Sequence, residues 1–390
     1  MNRFLKADGK VLRNNFGKGD VVTLRGTNVG GWQLMEGWMC PTDSPDQMTT
    51  IKTLTERFGA DKAEELIKIY EQAWWQEQDF DNVVDLNFNV LRFPISFLNL
   101  LDQDGKLRKD TLETYDWFVK ECEKRDIYVI LDLHGAPGSQ NGKDHSGDTS
   151  GSKLYTDENA MQQTISLWEQ LAEHYKGNPT IAGYDLLNEP EGKDEEKTPW
   201  GPLQFPFYDR LYHAVRRIDP DHVIILEAIW EPTDMPDPEI YQWKNVMYQY
   251  HYYGWDGIDD PEAQKKFTDG KVLNNEKANF DVPVLVGEFT LFSKLESWDY
   301  ALDAYAKQGW SWTTWTYKTV EYGNWGIFTS IKTDTPDVNI QTDSYETIKE
   351  KWSKVDTKTS FPKNTGLYNL LKEKAAIINN REVQNEINND

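Results

Sequence analysis

Eight short apolar runs, alternating with stretches of helical spacing almost throughout, constrain this chain more than any other feature. The runs are Val21–Asn28, Val90–Pro94, Tyr128–Leu133, Ile181–Leu187, Val223–Glu227, Val246–Tyr250, Val284–Gly287 and Trp310–Tyr317. A run such as Val284-Leu-Val286 reads as a strand buried on both faces, as in a parallel sheet covered by helices. Helical patterns fall over Ala63–Trp74, Phe80–Leu86, Thr111–Arg125, Ala160–Tyr175, Phe205–Ile218, Pro261–Lys277 and Asp299–Gln308. Leu112, Tyr115, Val119 and Cys122 show the three-and-four spacing of one buried face. Eight such strands close a (β/α)8 TIM barrel, the α/β fold expected here. Phe4–Val11, turning at Asp8-Gly9, reads as a hairpin plugging the barrel floor. A last helix is expected over Thr365–Ile378, giving one domain over residues 1–380 and a polar tail over 381–390. Three connections, Gly30–Thr50, Gly135–Asp157 and Tyr322–Lys363, are long, and loops of that length are usually functional.

Composition narrows the partners. The formal charge of -23 opposes binding to nucleic acid, which needs clustered Lys and Arg, and to an anionic membrane surface. No apolar stretch approaches the ~20 residues of a membrane span. The start, Met1 to Gly9, is too polar and short for a signal peptide, so the expectation is a cytoplasmic protein, or a secreted one if a leader has been removed. The two cysteines, Cys40 and Cys122, cannot make a disulfide framework; Cys122 sits in a helical pattern as a small core residue. Sixteen Trp within 13% aromatic content is a surplus, and their flat faces stack well on sugar rings. The run Gly192–Lys197 reads as a solvated loop. Oligomeric state is not legible.

Two glutamates end apolar runs: Glu189 in Ile181-Ala-Gly-Tyr-Asp-Leu-Leu-Asn-Glu-Pro190 and Glu288 in Val282-Pro-Val-Leu-Val-Gly-Glu-Phe289. A carboxylate just past such a run stands at the carboxyl end of a strand, where barrel active sites are built. Either one alone is as well read as a strand-end or cap residue. Two of them among Trp and Tyr point to glycoside hydrolysis, which needs one acid/base and one nucleophile or base. No His-Glu-x-x-His, zinc spacing, dinucleotide fingerprint, P-loop or Gly-x-Ser-x-Gly elbow occurs, and neither metal nor cofactor is expected.

Asn188-Glu189-Pro190 on a fourth strand and Gly287-Glu288 on a seventh resemble glycoside hydrolase family 5, in the clan of retaining (β/α)8 glycosidases. Arg92-Phe-Pro94, Asp132-Leu-His134, His251-Tyr-Tyr253 and Trp315-Thr-Tyr-Lys318 follow in the family's order. Arg25-Gly-Thr-Asn-Val-Gly-Gly-Trp32 and His134-Gly-Ala-Pro-Gly-Ser-Gln-Asn-Gly142 look like the exo-β-1,3-glucanase subgroup. The resemblance implies Glu189 as acid/base with a raised pKa and Glu288 as an ionised nucleophile beside Arg92 and Tyr253. It also implies Asn188 on the sugar 2-hydroxyl, His134 and His251 orienting hydroxyls and the nucleophile network, and Trp315 as the floor of the -1 sugar site. Glu36 and Asp144 would bind the terminal sugar's hydroxyls and make the site exo-acting. The sequence departs from the subgroup at Lys143, where a phenylalanine is expected, and neither Trp255 nor Asp256 clearly supplies the second entrance aromatic. The expected activity is a retaining β-glycosidase on β-glucan or β-glucosides. The rivals are an endo-β-1,4-glucanase with an open cleft and a non-catalytic carbohydrate-binding barrel.

Overall fold

A computed structural model describes residues 2–190, 200–228 and 231–387, with backbone alone for 200–203 and 377–387. The Gly192–Lys197 run lies outside the described residues. Eight parallel strands close a barrel: β1 (Arg25–Asn28), β2 (Val90–Ser96), β3 (Tyr128–Gly135), β4 (Ile181–Asp185), β5 (Val223–Glu227), β6 (Val246–Tyr253), β7 (Val284–Thr290) and β8 (Ser311–Thr314). β8 pairs with β1 through Trp312–Arg25 and Thr314–Thr27, which closes the ring. Between β1 and β2 Gly26 is required, because a Cβ there would stand 1.8 Å from the Val90 carbonyl oxygen.

The expected single strand Val21–Asn28 is in fact two. Val21–Val22 joins the hairpin strands Lys6–Asp8 and Val11–Arg13 in a three-stranded antiparallel sheet, and β1 begins at Arg25. Leu5, Leu12 and Leu24 from this segment pack with Val90, Ile130, Val223, Ile225 and Leu285 of the barrel strands, so the floor is plugged as the hairpin implied. Each such buried aliphatic contributes ~1.5–3 kcal/mol.

Helices α1 (Gln47–Phe58), α2 (Ala60–Trp74), α3 (Glu77–Asp85), α4 (Lys109–Glu123), α5 (Glu158–Tyr175), α6 (Trp200–Ile218), α7 (Pro261–Ala278), α8 (Leu295–Gln308) and α9 (Thr365–Ile387) are the long ones. The expectation did not include α1; its N-cap is Asp46, which accepts from the Thr49 amide at 2.6 Å. α9 runs past Ile378. The Trp surplus is mostly core rather than sugar platform: Trp32, Trp74, Trp75, Trp168, Trp243, Trp298, Trp310, Trp312 and Trp352 are all buried. Several of their N–H groups find backbone acceptors, as Trp168 does at Leu186 O and Trp298 at Phe292 O, both 3.0 Å, while Trp243 donates to Asp209 Oδ1. Both cysteines are buried and free, and burial pushes the Cys40 thiol up to about 12. No helix among the described residues is long and apolar enough to cross a membrane.

Candidate active site

The carboxyl ends of the strands converge on Arg92, a fully buried guanidinium on β2. It donates to Glu288 Oε1 (2.8 Å), Asn28 Oδ1 (3.0 Å), Asn188 Oδ1 (2.9 Å) and Asp185 Oδ2 (2.8 Å), and lies 3.1 Å from Asp132 Oδ1. Burial works against its charge, but the carboxylates around it prevail and hold it protonated. One cation thus ties together the ends of β1, β2, β3, β4 and β7. Asn28, Asp132 and Asp185 were given no role by the sequence; the two aspartates are polar side chains on largely apolar strands, whereas Asn28 ends the polar run Arg25-Gly-Thr-Asn28.

Gln249, His251 and Tyr253 alternate along β6, so all three face the barrel axis. Tyr253 donates its hydroxyl to Glu288 Oε2 at 2.8 Å. His251 Nδ1 lies 2.9 Å from Glu189 Oε1, 3.3 Å from Glu227 Oε1 and 3.4 Å from Glu288 Oε2. Glu288 reaches this position because the β6–β7 register shifts between Val286 and Glu288, setting Glu288 opposite His251.

Glu189 lies beyond β4 at φ 39, a left-handed conformation unusual for a glutamate. Its amide donates to Glu227 Oε2 at 2.8 Å, and Gln249 Nε2 holds the same oxygen at 3.3 Å. Glu227, the last residue of β5, is buried and unexpected, although it ends an apolar run just as Glu189 and Glu288 do. His145, also unexpected, places Nε2 3.1 Å from Glu189 Oε2. Its only sequence signal is its place in the long third loop. Glu189, Glu227 and His251 offer ligand atoms within 4.8 Å of one another, a spacing a metal could use; in the structure hydrogen bonds join them.

On the far side His134 gives Nδ1 to Asp132 at 2.6 Å, turns Nε2 to within 4.0 Å of Glu36, and stacks on Trp315 at 5.3 Å and 8°. Burial, then the negative Asp144, raises Glu36, while burial pulls His134 down. Both shifts favour the neutral forms of these groups. Trp38 donates to the other Glu36 oxygen at 2.7 Å. A cavity of about 340 Å³ is lined by Glu36, His134, Asn188, Glu189, Glu288, Tyr253, Trp255 and Trp315 together with Trp38, Lys143, His145 and Trp325. Asp144 itself is not in that lining; its neighbours Lys143 and His145 are. Each of the three long loops supplies part of the wall.

The protonation of the pair is a correction. Burial raises Glu189, but His145, His251 and Lys143 outweigh it and hold the carboxyl below its usual range. Burial raises Glu288 well above its usual range against the pull of Arg92 and the Tyr253 hydrogen bond. Burial and the nearby Glu189 charge also raise Glu227. The shifts thus run opposite to the expected order, with Glu189 lowered and Glu288 and Glu227 raised. Chemically, the cavity offers two facing carboxyls, a fixed cation and a proton inventory in a sugar-sized space.

A model of the Cellulase (glycosyl hydrolase family 5) family matches residues 55–320. The chain belongs to glycosyl hydrolase family 5. Among curated proteins it is similar to a β-xylosidase from Phanerodontia chrysosporium, 31% identical over 277 residues, 67% of this chain and 56% of that protein. It is also similar to a probable glucan 1,3-β-glucosidase A from Emericella nidulans, 28% identical over 279 residues, 68% of this chain and 67% of that protein. The chain thus spans between about half and two thirds of the length of these curated relatives. Among solved structures an endogalactoceramidase shares the barrel fold with a TM-score of 0.65 at 17% identity, covering 95% of this chain and 84% of that one.

Proposed function

We propose that this family 5 protein is a retaining β-glycosidase that removes the terminal glucosyl unit of β-glucans and β-glucosides, with β-1,3-glucan as its polymer. The observation that carries this is His251 Nδ1 lying within 3.4 Å of a carboxyl oxygen from both Glu189 and Glu288. Those two oxygens are closer than the ~6.5–9.5 Å that inverting enzymes leave for a water. Glu288 serves as nucleophile. Arg92 and Tyr253 hold one oxygen each and favour the anion once the proton leaves.

Glu189 serves as acid/base. The leaving oxygen must occupy the place that His145 Nε2 now holds on Glu189 Oε2. Replacing the His145 contact by a neutral ether oxygen, with water expelled, removes an interaction that lowers Glu189 and so favours a proton on it. The acid form is then made on binding. Asn188, fixed by Arg92, would bind the sugar 2-hydroxyl, and Glu36 and His134 the hydroxyls of a terminal sugar. Two polar groups available to a terminal sugar support exo action over an endo cleft. The printed names of the glucan 1,3-β-glucosidase relatives support the same polymer.

A product time course on laminarin tests this. Glucose alone from the earliest points is expected. A ladder of oligomers contradicts exo action, and no product contradicts the enzyme reading.

A further inference from the structure

Glu227 is a third carboxyl at the strand ends, buried behind the cavity rather than in its wall. Its two oxygens have different surroundings. Oε2 accepts from the Glu189 amide at 2.8 Å and from Gln249 Nε2 at 3.3 Å. The same Gln249 nitrogen donates to Asp185 Oδ2 at 2.9 Å, which fixes that end of the amide as a donor. Glu227 Oε2 is therefore an acceptor, and a proton on this carboxyl lies on Oε1. Oε1 faces His251 Nδ1 at 3.3 Å, and that ring nitrogen lies 2.9 Å from Glu189 Oε1. One nitrogen thus stands between the oxygens of two carboxyls.

The charges around Glu227 favour a proton there. Asp132, Asp185, Glu227 and Glu288 are buried about one guanidinium, that of Arg92. Arg92 touches Asp132, Asp185 and Glu288. Among the described residues Glu227 meets instead the Glu189 amide, Gln249 and the His251 ring. Tyr208 of α6 and Tyr155 of the third loop also act on it, and burial raises both phenols, so neither brings a charge. A buried carboxyl beside a second carboxyl, with neutral donors as its contacts, favours its neutral form.

Resting on the glycosidase reading, we propose that Glu227 stores the proton that Glu189 delivers, with His251 as the carrier. When substrate displaces His145, the proton leaves Glu227 Oε1 for His251 Nδ1, and Nδ1 passes it to Glu189 Oε1. Glu227 ends ionised, Glu189 ends protonated, and the ring returns to the state in which it began. A half-turn of the Glu189 carboxyl, about a soft torsion, presents the proton to the leaving oxygen. The water that frees the sugar from Glu288 returns a proton to Glu189, and the reverse path reloads Glu227. Glu227 acts through these groups and does not touch substrate.

The variant Glu227→Gln keeps an acceptor for the Glu189 amide and matches the neutral acid in shape, but holds no proton to pass on. Glu189 must then draw on solvent, so the defect depends on pH. On laminarin, whose sugar alcohol leaves only with a proton, kcat/KM at pH 7 is expected to fall at least about tenfold below the parent. At pH 5 the deficit is expected to shrink to less than about threefold. On dinitrophenyl β-D-glucoside, whose phenolate leaves unaided, the loss at pH 7 is expected to be less than about a third of that on laminarin. A deficit equal at both pH values marks a misplaced Glu189 and overturns the inference, as does no deficit or an equal loss on both substrates. A variant that fails to fold shows that the site needs an anion at this position and overturns it too. A parent protein inactive on laminarin overturns the glycosidase reading instead.

Discussion

Glu189 is held from two directions, and each hold has a consequence. Its backbone sits at φ 39 with the amide on Glu227, and its side chain lies between His251 and His145. His145 favours the ionised form, so removing it raises Glu189. Glu189 lies below Glu288 in the free enzyme, so in His145→Ala the acid limb of kcat/KM is expected to move to higher pH. A pH–rate profile showing that limb unmoved or shifted down would contradict the role given to His145. Residue-scale legibility was uneven for a physical reason. Glu189 and Glu288 were visible because each ends an apolar run, and Glu227 carries the same signal but lacks the Asn-Glu-Pro context. His145 and Trp325 lie on loops, where neither periodicity nor strand position marks a side chain. The protonation order was not legible at all, because it depends on which cations the third loop brings to Glu189.

At the scale of elements, the strands were legible where both faces are buried, as in β3 and β7, because such runs are continuously apolar. Their carboxyl ends were placed short. β6 runs on to Tyr253 and β7 to Thr290 through the polar residues that build the site. Helix α1 was missed although Met48, Ile51, Leu54 and Phe58 recur at helical spacing, because it overlaps a stretch read as a long loop and its buried face carries Gln47, Thr50 and Thr53 beside Leu54; Asp46 caps it. The β1–β2 pair gives a prediction of its own. In Gly26→Ala the new methyl meets the Val90 carbonyl, a backbone atom that cannot rotate away. Equilibrium urea unfolding is expected to show a loss of ~2 kcal/mol or more. A midpoint equal to that of the parent protein contradicts the observed β1–β2 approach.

Over the whole molecule, buried carboxyls set the response to pH. Burial pushes Asp132 and Asp185 up to about 7 and Glu71 up to about 8, against ~4 in the unfolded chain. Between those values the folded state holds protons that the unfolded state has lost, so stability falls as pH rises towards 8. His134 and His251 act in the opposite sense, because burial depresses both, but only below the ~6.5 of a free histidine. The net formal charge of -23 adds self-repulsion in the same direction as the carboxyls. Tm is therefore expected to drop by roughly 5 °C between pH 6.5 and 8. A Tm that rises over that interval contradicts the burial of these groups. At this scale the barrel was legible from the count of eight runs, whereas the Trp surplus misled, since stacking on sugar and packing between helix and strand favour the same residue.

The division of labour between Glu189 and Glu288 is tested most directly by azide rescue of the two alanine variants on an activated aryl β-glucoside, with the glucosyl azide identified by proton NMR. Glu189→Ala is predicted to yield the β-azide, because Glu288 still forms the intermediate and azide replaces water. Glu288→Ala is predicted to yield the α-azide, formed in one inverting step in the vacated space. The two products exchanged between the variants, or no rescue of either, would contradict the assignment.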